Sequence, residues 1–456
     1  MIRFEHEVDQ IRKDHKKIYN RLKSIQEDAL FVDKVAHLYP HLALVANERC
    51  GSWYINPTKH KVHSVYFKST DGHMGEWDFN VRRGNFHIID IIAAHQGCII
   101  VDSTRRGKRI PDALSKTIPI WCCVINRAIQ RYYQQEQQQP LSKWDDRFHS
   151  LPTAVFRSEH AQIEARLDGF VQKLWDLGVD VERLAKLLKK PLRPIWLTPQ
   201  SSLSEAMDYT DCEFYPVICV SASQFIQDGG CQARPDGYLY VQGSADDQEA
   251  WSMGLTCSLF WTHDQEILRH PSTCETTVEE IVEQARQERH QQLQANGQDL
   301  TLLRLENDIK NTMLTIGNRY TGLTSSFDAV IQCCCLTTNK KKKTWLDLAI
   351  PEGKKGQHVL EKAIPLAITF ARPFLANHQR ILVFSVDGKN RAVGIALALL
   401  VHYYDENGNL ELDGVKHVTK DSIRQKLIQL IASHPQAAPS RVTLRRVNTH
   451  FLSVID

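Results

Sequence analysis

The run "ILVFSVDGKNRAVGIALALL" (381–400) constrains the local fold more than any other part of the chain. Ile381, Leu382, Val383 and Phe384 read as a buried strand, and a mostly polar stretch containing Gly388 follows. From Arg391 the Ala, Val, Ile and Leu residues read as an apolar helix. A strand that passes through a short loop into a helix predicts a parallel α/β arrangement, because parallel neighbours need a crossover. The upstream segments agree with this. "FDAVIQCC" and "TWLDLAI" read as strands, and "GQHVLEKAIPLAITFARPFL" reads as an amphipathic helix.

Ser385 and Arg391 stand six positions apart with Gly388 between them. The frame resembles the C-x5-R loop of cysteine-dependent phosphatases, with serine in the place of cysteine. Over roughly residues 305–456 the order of elements resembles a dual-specificity phosphatase domain. The resemblance implies that Ser385, Asp387, Gly388, Lys389, Asn390 and Arg391 form a phosphate loop. Backbone N–H groups, an arginine fork and a helix N-terminus would then converge on one anion. Phosphatase chemistry needs a thiolate, and an isolated serine hydroxyl is too weak an acid to replace it. The loop "IPEGKKGQ" also has lysines where such enzymes carry an aspartate general acid. The expectation is a loop that grips phosphate without hydrolysing it; an ordinary strand–helix turn is the plain alternative.

A chain of 456 residues has room for two or three domains. The polar, helix-spaced stretch from Val278 to Asn296, followed by the turn-prone "NGQD", marks a boundary near residue 300. We therefore divide the chain into 1–300 and 301–456. The start reads as an amphipathic helix with a basic face and lacks the apolar region of a secretory leader. No apolar run approaches the roughly 20 residues of a membrane span. The 12 cysteines show neither CxxC pairs nor a disulfide framework, which predicts reduced thiols and a cytoplasmic or nuclear protein. "QRYYQQEQQQ" (130–139) reads as a surface insertion or frayed helix end. The net charge of +3 decides little, whereas clusters at 105–109 and 340–343 are either solvated surface or phosphate contacts.

Three N-terminal segments place reactive side chains after apolar strands, where a rigid sheet positions loops. "VYFKSTDGHMGEWDFNVRRGNFH" (65–87) ends a strand in Lys68, Ser69, Thr70, Asp71, Gly72 and His73. "GCIIVDSTRRGKRIPDALSKTIPIWCCV" (97–124) opens a buried strand into Asp102 and the cations Arg105, Arg106, Lys108, Arg109 and Lys116. "YLYVQGSADDQEAWSMGLTCSLFW" (238–261) ends a strand at Asp246 and Asp247. The N-terminal part is a mixed α+β or α/β region whose topology the sequence leaves open.

With "NERCGSWY" (47–54), these segments and the phosphatase-like end resemble the initiator-tRNA 2′-O-ribosyl phosphate transferases, over nearly the whole chain and in the family's order. Gln248 departs from the family pattern, in which histidine follows the paired aspartates. The resemblance implies an enzyme that transfers a phosphoribosyl group from 5-phosphoribosyl 1-diphosphate to the 2′-hydroxyl of a T-stem adenosine of initiator methionine tRNA. The modified tRNA would be barred from elongation. The chemistry asks for cations around the leaving diphosphate, with Mg²⁺ among them. Lys68, Ser69, Thr70, Arg105, Arg106, Lys108, Arg109 and Lys116 are the candidate donor-binding set. The basic residues would serve tRNA phosphates equally well. Asp246 and Asp247 are candidate Mg²⁺ ligands or a solvated turn, and Asp71, His73 and Asp102 are candidate bases or structural turn residues. Trp53 and Trp77 read as core or as stacking platforms. The competing class is a non-catalytic phosphate- or RNA-binding module built on an inactive phosphatase domain.

Overall fold

A computed structural model describes residues 17–452 apart from 49, 81–82, 106, 137–143, 177, 206, 228–229, 296–304, 325–326, 336–342, 352–355, 406–407, 416 and 435. Residues 1–16, Arg106, the lysines at 340–342, the loop lysines Lys354 and Lys355, and part of the Gln-rich stretch therefore lie outside the described residues. The chain divides into two compact units, Met1–His290 and Gln291–Asp456.

In the first unit, helix α1 (Ile18–Leu38) leads into β1 (Ala43–Asn47) and β2 (His63–Val65). Helix α2 (His87–His95), β3 (Cys98–Asp102), α3 (Ile118–Gln135), α4 (Arg157–Asp176) and α5 (Val181–Leu187) follow. Then come β4 (Leu192–Leu197), β5 (Tyr215–Ser221), the hairpin of β6 (Cys231–Ala233) and β7 (Leu239–Val241), α6 (Cys257–Ile267) and α7 (Cys274–Ala295). The main sheet runs β2-β1-β3-β5-β4 and every pairing in it is parallel. The expected mixture of helices and strands is present, with its main sheet wholly parallel. Every residue of β1, β3 and β5 is buried, which is why "ALVAN", "CIIVD" and "YPVICVS" are apolar runs rather than alternating ones. The chain leaves β1 for β2 on one side and then crosses to β3 on the other. Loops after β1 and β3 thus diverge around a crevice at the carboxyl ends, where open α/β sheets bind ligands.

The second unit contains β8 (Glu306–Asp308), β9 (Leu314–Gly317), α8 (Arg319–Thr324), β10 (Ala329–Gln332) and β11 (Trp345–Asp347). It continues with α9 (Gly356–Ala376), β12 (Ile381–Phe384), α10 (Arg391–Tyr403), α11 (Lys420–Ser433) and α12 (Arg441–Leu452). Its sheet runs β11-β10-β12-β9-β8, parallel except for β8. Helix α10 is buried almost all round, so its Ala-Leu composition packs on every side. The strand–loop–helix read from 381–400 is β12, its loop and α10.

Candidate active site

Two buried polar residues join the strand ends at the crevice. Asn47 exchanges hydrogen bonds with the Phe67 backbone, donating to the carbonyl and accepting from the N–H, both at 2.9 Å. Its Nδ2 also donates to Asp102 Oδ2 at 2.8 Å. Asp102 Oδ1 accepts from Cys50 Sγ at 3.0 Å and from the Ser103 N–H at 2.8 Å. Asp102 is wholly buried, so its carboxyl oxygens are satisfied by protein donors and not by solvent. The ends of β1 and β3 and the chain after β2 are thereby fixed to one another.

The first motif packs on the second. A 3-10 turn at Ser69–Gly72 lies against a π-helical turn at Ala113–Thr117, a backbone form found often at functional sites. Glycine is required at 72, because a Cβ there would come within 2.8 Å of the Asp112 carbonyl oxygen and of Thr117 Oγ1. Thr117 Oγ1 in turn donates to the Lys68 carbonyl at 3.2 Å. This close docking brings residues of both motifs onto one carboxylate. Asp112 lies 3.5 Å from His73 Nε2, 2.5 Å from Lys108 Nζ and 3.3 Å from Lys116 Nζ. Lys116 is buried and also meets Glu159 at 2.9 Å; Trp77 Nε1 donates to the same Glu159 oxygen at 3.1 Å. His73 and Lys108 keep about half their side-chain surface exposed, at 49% and 53%. Asp71 is paired with Arg83 at 3.0 Å. Thr70 is exposed, and Ser69 Oγ is buried without a hydrogen-bond partner among the described residues.

The third motif collects a different cation. Arg105 Nε lies 3.2 Å from Asp246 Oδ2 and its NH2 pairs with Asp247. Arg21 of α1 donates to the Ser244 carbonyl at 2.8 Å and lies 5.5 Å from the Trp251 ring. Gln248, at the departure from the family pattern, accepts from Trp53 Nε1. Trp53 and Trp77 are both buried and act as core. Arg109 stands apart, its guanidinium 5.1 Å from the Phe225 ring. The candidate set therefore gathers around two centres: His73, Lys108 and Lys116 on Asp112, and Arg105 on Asp246 and Asp247. Among the described residues no group of three or more His, Cys, Asp or Glu side chains is arranged to hold a metal ion.

In the second unit the polar groups of the loop after β12 bond both to one another and to neighbouring segments. Ser385 is fully buried, and its Oγ accepts from the Gly388 N–H at 3.1 Å and donates to Asp387 Oδ1 at 3.4 Å. Asp387 Oδ1 also accepts from the Lys389 N–H at 2.9 Å. Asn390 accepts through Oδ1 from the Ser440 N–H at 3.0 Å and from Thr443 Oγ1 at 2.8 Å. Arg391, 2% exposed, donates to Thr443 Oγ1 at 3.5 Å and to the Pro351 carbonyl at 3.4 Å.

Sequence reasoning passed over Glu159, Arg83 and Arg21, which complete these networks. Glu159 and Arg21 sit in ordinary amphipathic helices, and no local pattern distinguishes them from surface charges.

Residues 11–283 match the model of the Rit1 N-terminal domain, and residues 344–451 that of the Rit1 DUSP-like domain. An uncharacterised protein of Schizosaccharomyces pombe is 39% identical over 98% of this chain and 96% of its own length. The tRNA A64-2′-O-ribosylphosphate transferase of Saccharomyces cerevisiae is 44% identical over 56% of this chain and 51% of its own. Similar solved structures include human DUSP28, 12% identical over 32% of this chain and 92% of that one, with a TM-score of 0.24. A leucine rich repeat and phosphatase domain containing protein from Entamoeba histolytica is 18% identical over 32% and 89%, with a TM-score of 0.23. With both of its parts matched in order, the chain belongs to the Rit1 family.

Proposed function

We propose that this protein is a tRNA-modifying pentosyltransferase that moves a phosphoribosyl group from 5-phosphoribosyl 1-diphosphate to the 2′-hydroxyl of adenosine 64 in the T stem of initiator methionine tRNA. One observation carries the reading. Cations and an exposed histidine from two separate motifs converge on Asp112 at the carboxyl edge of a parallel sheet. The chain is 44% identical, over 56% of its length, to a tRNA A64-2′-O-ribosylphosphate transferase. In the reaction the bond from the donor's C1 to the diphosphate oxygen breaks, and its electron pair leaves with diphosphate. The adenosine 2′-oxygen forms the new bond to C1, and its proton departs. Lys108 and Arg105, half-exposed and already oriented by carboxylates, take up the charge of the leaving group. Their release from Asp112 and Asp246 to an incoming diphosphate exchanges one ion pair for another. Lys116 stays buried between Asp112 and Glu159 and offsets part of their negative charge.

Of the three candidate bases, we assign proton acceptance to His73. Asp102 is sealed among donors, and Asp71 is bound to Arg83, whereas His73 is exposed with Asp112 behind its ring. Asp102 and Asp71 shape the turns that present it. Mg²⁺ accompanying the donor fits Asp246 and Asp247, since this ion commonly takes one or two carboxylates plus substrate phosphates. When bound it would supply charge neutralisation of the diphosphate, and Arg105, which now bridges the two carboxylates, would turn to the phosphates. Adenosine 64 is reached from the shallow groove of an A-form stem, where 2′-hydroxyls face outward and no base need be flipped. The workplace is the cytoplasm, with the nucleus as the other reducing compartment; the free thiols of all 12 cysteines suit either, and none of the described helices is long and apolar enough to cross a membrane.

The test is incubation of the purified protein with the ribose-labelled donor and total tRNA. Label is expected in initiator methionine tRNA alone. Binding of tRNA without any transfer would leave a non-catalytic RNA-binding module instead.

A further inference from the structure

We infer that Gln242 is the positioning residue for the basic loop of the second motif, acting from inside the third motif without touching a substrate. The inference rests on the transferase reading above. Gln242 follows β7 directly and is 4% exposed. Its Nε2 group faces three carbonyl oxygens of the basic loop: Lys108 at 2.7 Å, Arg105 at 3.1 Å and Thr104 at 3.3 Å. Its Oε1 accepts from the Ile226 N–H at 3.0 Å, which fixes the amide the right way round. The next residue belongs to the same device. Gly243 has φ 67°, and a Cβ there would stand 2.6 Å from the Thr104 carbonyl oxygen. Ser221 at the end of β5 adds a fourth tether, donating to the Arg109 carbonyl at 3.0 Å.

The loop from 104 to 109 carries four cations that repel one another, and a free loop would spread them. Holding the carbonyls of Thr104, Arg105 and Lys108 turns that segment's acceptors inward. The Arg105 and Lys108 side chains are left half-exposed beside their carboxylates. A diphosphate then meets cations already ordered, and the entropy of gathering them does not count against binding. Only an amide serves at 242. A glutamate would set its charge against carbonyl oxygens, and an apolar side chain of the same length would leave buried acceptors unmatched.

Two measurements on the full chain test this. Trypsin cuts after the loop's lysine and arginine residues, so limited digestion reads the order of the loop with no reference to activity. In Gln242→Met we expect cleavage at 105–109 to quicken roughly tenfold, as the loss of a net buried hydrogen bond implies, at a temperature well below the variant's own lowered melting point. In transfer assays the KM for phosphoribosyl diphosphate should rise by a similar factor while the KM for tRNA stays put. Gly243→Ala should reproduce both effects, and Gln242→Asn, whose amide is one methylene short, should fall between wild type and Gln242→Met. Wild-type trypsin resistance and a wild-type donor KM in Gln242→Met would overturn the inference. If the wild-type protein transfers nothing, the transferase reading fails, and the digestion result still decides the positioning role.

Discussion

Asp112 sits between charges of unequal availability, and that inequality separates two kinds of residue at the candidate site. Lys116 is buried between Asp112 and Glu159, so its substitution should register chiefly as instability. Lys116→Met leaves two buried carboxylates without their shared cation, and we expect about 3–5 kcal/mol lost from the unfolding free energy in a urea titration. A loss under about 1 kcal/mol would mean that water reaches the pair and that its burial is not structural. His73 is exposed and should behave in the opposite way. His73→Gln should melt like wild type, bind tRNA like wild type, and lose kcat by about 100-fold, the lower end of what a positioned base contributes. Equal kcat in the variant would remove His73 from the chemistry.

At the scale of elements, the strand–loop–helix at 381–403 was legible because each part has its own signature: an apolar run, a glycine-bearing loop, an Ala-Leu helix. The internal engagement of that loop was not legible. Nothing in "SVDGKNR" announces that Asp387 caps the Lys389 N–H, or that Asn390 ties the loop to α12 through Ser440 and Thr443, some 50 residues away. The same holds for the docking of the turn at 69–72 on the π-helical turn at 113–117, which local periodicity cannot encode. His434 gives the loop a further anchor. Its Nε2 donates to the Gly388 carbonyl at 3.0 Å and its Nδ1 accepts from Asn307 at 2.8 Å, an arrangement that requires the neutral ring. Burial holds its pKa below the ordinary 6.5, with the bond to Gly388 opposing. The unfolded chain therefore takes up a proton near pH 6.5 that the folded chain refuses, so stability is complete above that pH and drains away below it. His402 and His450 are depressed by burial in the same sense. His434→Gln keeps a donor for Gly388 and should flatten the slope of unfolding free energy below about pH 6.5 by up to ~1.4 kcal/mol per pH unit. An unchanged slope in urea titrations across that range would show that His434 protonates equally in both states.

At the scale of the whole molecule, two α/β units share one chain, and their division of labour is a kinetic question. The expectation from sequence was a loop able to hold phosphate without hydrolysing it, and Ser385 supplies no thiolate for hydrolysis. Arg391 anchors the loop to Thr443 and Pro351, so Arg391→Ala should lower the melting temperature. If the second unit serves the enzyme by gripping RNA phosphate, the same variant at permissive temperature should raise the KM for tRNA and leave that for phosphoribosyl diphosphate unchanged. A raised donor KM alone would instead assign the donor's 5-phosphate to this loop. The central claim is narrower and can be met head-on, because it names one atom. Initiator tRNA assembled with a single 2′-deoxyadenosine at position 64, the residue named by the S. cerevisiae relative, differs from the natural substrate only in the attacking oxygen. Mass measurement of intact tRNA after incubation with phosphoribosyl diphosphate should show one ribosyl phosphate added to the natural RNA and none to the deoxy form. Addition to both, or to neither, would contradict the account.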